Sequence, residues 1–167
     1  MSHYQATVLW QRPPDIAFTD GRYSRAHLWR FDGGAEVPAS ASPHIVPLPF
    51  SAPEAVDPEE AYVAALASCH MLFFLSIAAK RHFVVDRYSD TVEGVMEKNA
   101  AGQLWVSRVT LHPEIVYAGP QPTAEQRDHM HHAAHEVCFI ANSVKTEIRV
   151  AGQHSSALAG PEPAPTT

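Results

Sequence analysis

The stretch that most limits the fold is DPEEAYVAALASCHMLFFLSIAAKR, residues 57–81. It opens as a helix should. Asp57 can accept hydrogen bonds as an N-cap, Pro58 suits the first helical position, and Glu59 and Glu60 face the positive end of the helix dipole. Lys80 and Arg81 suit its negative end. Between these ends the side chains are apolar nearly all round, so the helix must be enclosed on most sides. Residues 61–79 approach the length of a membrane span, but Ser68, Cys69, His70 and Ser76 interrupt them. A single segment of this kind, in a chain otherwise 46% hydrophobic and 18% charged, is expected to be a buried helix outside any membrane.

Other elements arrange themselves around that helix. HYQATVLW reads as a first strand and GRYSRAHLWRF, after the Asp20-Gly21 turn signal, as a second. The period of two would put Tyr23, Arg25, His27 and Trp29 on one face of the second strand. Residues 31–58 then read as one long loop, carrying Pro38, Pro43, Pro47, Pro49, Pro53 and Pro58. Ile45, Val46, Leu48 and Phe50 make it too apolar for a solvated linker, so it is expected to act as a lid or wall. TVEGVMEKNAAGQLWVSRVTLHPEIVYAG gives two strands joined by a turn near Asn99–Gly102. A second helix starts at Thr123, where Gln126 completes a capping box, and runs to Cys138. SVKTEIRV alternates as a last strand, and residues 151–167 are small and Pro-rich, as a disordered tail would be. The order ββ, helix, ββ, helix, β predicts a single α+β domain over residues 1–150, with mostly antiparallel sheet.

Charge and cysteine usage narrow the function. A formal net charge of -6, with no Lys/Arg cluster, argues against a nucleic-acid partner. The N-terminus lacks a basic start followed by an apolar run, so no signal peptide is expected. The two cysteines then point to a reducing compartment, the cytoplasm, where thiols are more often catalytic, redox-active or metal-bound than structural.

Cys69 and Cys138 fall on different helices or helix ends. As a redox pair they would need one reactive thiol and a second to resolve its sulfenic acid; as packing they would be small buried hydrophobes. A competing arrangement lies on the second helix. His131, His135 and Cys138, at i, i+4 and i+7, would share one face and could hold zinc, although eleven histidines spread along the chain also make a His-rich surface face.

At PEEAYVAALASCH and AHEVCFIANSVKTEIRV the chain resembles the OsmC/Ohr family of osmotically inducible and organic hydroperoxide resistance proteins. The resemblance runs in order from about Ser24 to Val150. It implies an intertwined α+β homodimer, with antiparallel sheets wrapped around two long central helices. It also implies a thiol-dependent peroxidase acting on organic hydroperoxides, restored by an external thiol or lipoyl-type reductant and needing no bound cofactor or metal. By position, Cys69 matches the peroxidatic cysteine, Cys138 the resolving one, and Glu59 the carboxylate that holds a catalytic arginine. For that arginine Arg25 is the first choice, with Arg12 and Arg30 as alternatives. Phe139 departs from the proline usual after the second cysteine, and the 33–57 loop is longer than the family's. Met71, Phe73 and Phe74 could line a greasy entrance that favours organic peroxides.

Geometry then argues for a dimer. Glu59 and Cys69 are ten residues apart, about 15 Å along one helix, so one arginine can hardly serve both within a chain. Two helices crossing antiparallel near residue 64 would bring Glu59 of one chain to Cys69 of the other. Ala61, Ala64, Ala65 and Ser68 are small enough for that approach, or else pack under the chain's own sheet. The expectation is an obligate homodimer with a shared site.

Overall fold

A computed structural model describes residues 1–152. Of the expected tail, Ala151 and Gly152 form a turn, and the rest lies outside the described residues. The fold is α+β. It comprises β1 (Ala6–Leu9), β2 (His27–Phe31), β3 (Glu36–Ala39), α1 (Pro58–Lys80), β4 (Val84–Asp90), β5 (Glu93–Lys98), β6 (Leu104–Leu111), β7 (Pro113–Ala118), α2 (Ala124–Val137) and β8 (Glu147–Val150). These make three sheets, β1-β2-β3, β4-β7 and β5-β6-β8, antiparallel throughout except for the β6–β8 pair.

Both helices start as their sequences dictate. Asp57 accepts from the Glu60 amide while the Glu60 carboxylate accepts from the Asp57 amide, and Thr123 and Gln126 repeat the arrangement on α2. Each cap satisfies amides that the first helical turn leaves open.

α1 joins two cores. Toward its N-terminus, Leu66 and Ala67 pack with Val109 and Leu111 of β6, flanked by Tyr62, Val63 and Ile148. A Cβ on Gly94 would come 2.7 Å from the Val63 side chain, so glycine lets β5 cross α1 closely. The Tyr62 hydroxyl lies 2.6 Å from that of Thr146, which donates to the Val106 carbonyl and ties this end of α1 to β6. Toward its C-terminus, Phe74 and Ala78 pack with Met130 and Ala134 of α2, over Val85, Tyr88 and Ile115. Cys69 and His70 lie between the two cores.

Four expectations need correction. The 31–58 stretch is not all loop: β3 pairs with β2, and Ala39 bridges to Val56. Residues 84–90 form a strand that the sequence pattern did not reveal. The run 104–118 is two strands, because the chain changes sheets at His112-Pro113: β6 pairs with β5, and β7 pairs with β4. Nor is α1 enclosed on most sides. Ala64, Ala65, Ser68, Leu72 and Ser76 are exposed along one face, with Leu72 at 61%. By length and composition this helix could cross a membrane, yet its other face is built into the two cores.

Candidate active site

The two cysteines, far apart in sequence, come together where α1 meets the end of α2. Cys69 is half-buried in the middle of α1, and Cys138 is buried at the C-cap of α2. The α2 backbone leaves helical geometry at Cys138, with φ -68° and ψ 115°, and the next segment holds it there. The Ala141 amide donates to Cys138 Sγ over 3.5 Å, and Asn142 donates to the Cys138 carbonyl through both its amide and its side chain. Burial pushes the Cys138 thiol up to about 11, and the adjacent Cys69 thiol pushes it the same way. The protonated thiol is therefore its resting form. Phe73 meets Phe139, the residue after Cys138, edge-on with centroids 5.1 Å apart, and Phe139 is 70% exposed.

Next to this pair the helices meet a second time. His70 Nε2 and His131 Nδ1 are 3.0 Å apart, and their rings stack within 8° of parallel. His131 also stacks on Phe74 at 4.3 Å. Burial lowers His70 to about 4, helped by the charge of His135, and lowers His131 to about 3, helped by His70 and Arg127. At neutral pH both rings are uncharged, so one donates and the other accepts.

This geometry overturns the zinc arrangement on α2. His131 bonds to His70 through Nδ1, and Cys138 lies against Cys69. Among the described residues no group of three or more His, Cys, Asp or Glu side chains could hold a metal.

The arginine and its carboxylate are not brought together within the chain. Arg25 precedes β2 and so escapes the alternation that was to aim it. It donates to the carbonyls of Gly21 and Tyr23, and its guanidinium lies 3.9 Å over the Tyr23 ring. Tyr23 in turn stacks with Phe18 and meets Trp10 edge-on. Arg12 folds onto the carbonyls of Pro13, Pro14 and Ile16, and Arg30 pairs with Glu36 at 2.6 Å on the exposed side of its sheet. The Glu59 side chain, half-buried, makes no hydrogen bond or ion pair among the described residues.

Sequence reasoning did not anticipate a groove of about 250 Å³ along the exposed side of α1. Ala64, Ala67, Ser68 and Met71 face Tyr88, Asp90 and Val92 across it. The Tyr88 hydroxyl and Asp90 Oδ2 are buried there beside each other. Nothing in the local sequence of β4 signals this.

A two-helix α+β fold that sets two thiols side by side defines a two-cysteine thiol protein. The chain belongs to the OsmC-like protein family, whose model matches residues 51–151. It is similar to a solved OsmC-like protein of unknown function from Vibrio cholerae, at 55% identity over 90% of this chain and 98% of that one, with a TM-score of 0.87. The same fold recurs in an organic hydroperoxide resistance protein from Elizabethkingia anophelis, at 17% identity over 90% of this chain and 96% of that one (TM-score 0.65). It recurs also in one from Legionella pneumophila, at 18% identity over 90% and 97%, with a TM-score of 0.64. No curated protein matches the chain significantly.

Proposed function

We propose that the protein is a thiol-dependent peroxidase that reduces organic hydroperoxides, with Cys69 peroxidatic and Cys138 resolving. The observation that carries this reading is the meeting of the chain's two cysteines, one half-open to solvent and one buried. The names of the hydroperoxide resistance proteins of the same fold support organic hydroperoxides as the substrate class. The Cys69 thiolate attacks the distal peroxide oxygen, the O–O bond breaks, and the alkoxide takes a proton to leave as alcohol. The Cys138 thiol then attacks the sulfenic sulfur, an S–S bond forms, and water leaves. An external dithiol, of the lipoyl or a similar class, reduces the disulfide. No bound cofactor is required. The chemistry suits a reducing cytoplasm.

Thiolate attack needs a cation near sulfur, and Arg25 with Glu59 would supply it across a two-fold axis. The exposed Ala64, Ala65, Ser68 and Leu72 face supports a second copy of α1 as partner. The N-terminal sheet supports the same reading, since its three strands join neither of the other sheets and leave Val8, Leu9 and Phe31 exposed. Phe73 and Phe139 suit an apolar peroxide tail.

The test is consumption of cumene hydroperoxide with a dithiol such as dihydrolipoate. The wild type turns over and Cys69→Ser does not. Wild-type protein that consumes no organic hydroperoxide with any dithiol contradicts the proposal.

A further inference from the structure

Two contacts between the helices start from neighbouring residues of α1. Cys69 lies beside Cys138, and His70 bonds to His131. The chemistry proposed above uses the first and leaves the second unassigned. Yet the imidazole pair is built with care: both residues are 2% exposed, the bond is 3.0 Å, and Phe74 backs the His131 ring. An uncharged pair of this kind has one matched donor and acceptor, so it fixes one point of α2 against α1. Pulling it apart strands a polar nitrogen on each side in the protein interior.

Cys138 hangs from that fixed point. Seven residues beyond His131 it has already left the helix, and the Ala141 and Asn142 contacts hold it locally rather than against α1. A disulfide requires the sulfurs to close to about 2.05 Å with a set dihedral angle. A slip of α2 by an ångström or so therefore prevents the bond while leaving each thiol intact. Position matters all the more because the buried Cys138 thiol rests protonated and is a weak nucleophile.

We propose that the His70–His131 hydrogen bond is a positioning pair for resolution: it holds α2 so that Cys138 reaches the oxidised sulfur of Cys69. The step it serves forms the S–S bond, breaks the S–O bond of the sulfenic acid, and releases hydroxide with the Cys138 proton as water. This rests on the peroxidase reading, and the test separates the two.

Full-length wild type, His131→Asn and His131→Leu are each treated with one equivalent of cumene hydroperoxide, without reductant, and followed by mass spectrometry. The Asn carboxamide occupies the Nδ1 place and keeps the bond to His70; Leu removes it. All three should lose the first equivalent at the same rate. Wild type and His131→Asn should then close the Cys69–Cys138 disulfide, whereas His131→Leu closes it roughly tenfold more slowly. A second equivalent should turn Cys69 of His131→Leu into sulfinic acid. Closure by His131→Leu at the wild-type rate overturns the proposal, as does failure of His131→Asn to the same degree. If circular dichroism shows His131→Leu unfolded, His131→Gln replaces it, because its amide sits at the Nε2 place and misses His70. Gln closing as fast as Asn is then the contrary result. Should wild type not react with the peroxide, the peroxidase reading fails. Diamide, which oxidises two thiols to a disulfide and is itself reduced to the hydrazine, then reads the positioning claim alone, with the same expected order of variants.

Discussion

Two pairs of residues that the proposed reaction would use are treated differently by the fold. Cys69 and Cys138 meet within a single chain, because each sits on a helix and the helices share the Phe74, Ala78, Met130 and Ala134 core. Arg25 and Glu59 do not meet. Arg25 lies before a short strand in a sheet separate from the two that pack on α1, and Glu59 lies on the first turn of α1. Side chains fixed by a shared core meet in one copy, whereas those on separate layers do not, and in the proposed dimer a second copy would bring them together.

The predictions follow from that contrast. The largest effect is expected at the ready pair: Cys69→Ser should abolish dithiol-driven peroxide consumption in a stopped-flow or ferrous–xylenol assay. Next, Leu72→Glu places a charge on the exposed face of α1. It should shift the protein to a monomer by light scattering and remove nearly all turnover, yet diamide should still close the Cys69–Cys138 disulfide. A monomer that turns over normally would mean that one chain holds the whole site. A smaller effect is expected when inactive Glu59→Ala and Cys69→Ser proteins are mixed under subunit exchange. Activity should recover to about a quarter of wild type, since half the dimers are mixed and each carries one intact site. No recovery despite proven exchange would mean that Glu59 and Cys69 act within one chain.

The last effect concerns stability and acid rather than turnover. His70 and His131 titrate near 4 and 3 when folded but near 6.5 when unfolded, so below pH 6.5 the unfolded chain binds more protons. Stability should therefore fall as pH drops from about 6.5 toward 4, by up to about 1.4 kcal/mol per pH unit for each histidine. Urea midpoints across this range check it, and a His70→Leu/His131→Leu double variant should show a flatter slope.

Much of the frame is legible in the residues. Both helices announce themselves through capping boxes and charged ends, because those signals are local. β4 is harder to read. VVDRYSD mixes β-branched with charged residues and carries a register shift between Val85 and Arg87 in a sheet of two strands. The break at His112-Pro113 is hidden by alternation that continues across it; the missing amide of Pro113 marks where β6 gives way to β7. Among the site residues, Cys69, Cys138 and Glu59 are marked by family resemblance. The partner of His131 is not, because helix spacing reveals neighbours on the same helix and is blind to a residue facing it from another. For the same reason the exposed side of α1 reads as core in a sequence that does not say how many copies share it.

Cys69 and Cys138 are proposed to form one redox pair. Mass spectrometry of the wild type, titrated with cumene hydroperoxide in the absence of reductant, tests this directly. One equivalent should convert the protein to a species lighter by two hydrogens, with a Cys69–Cys138 cross-link in the peptide map. Oxygen retained on Cys69, with Cys138 still free to alkylation after denaturation, would contradict it.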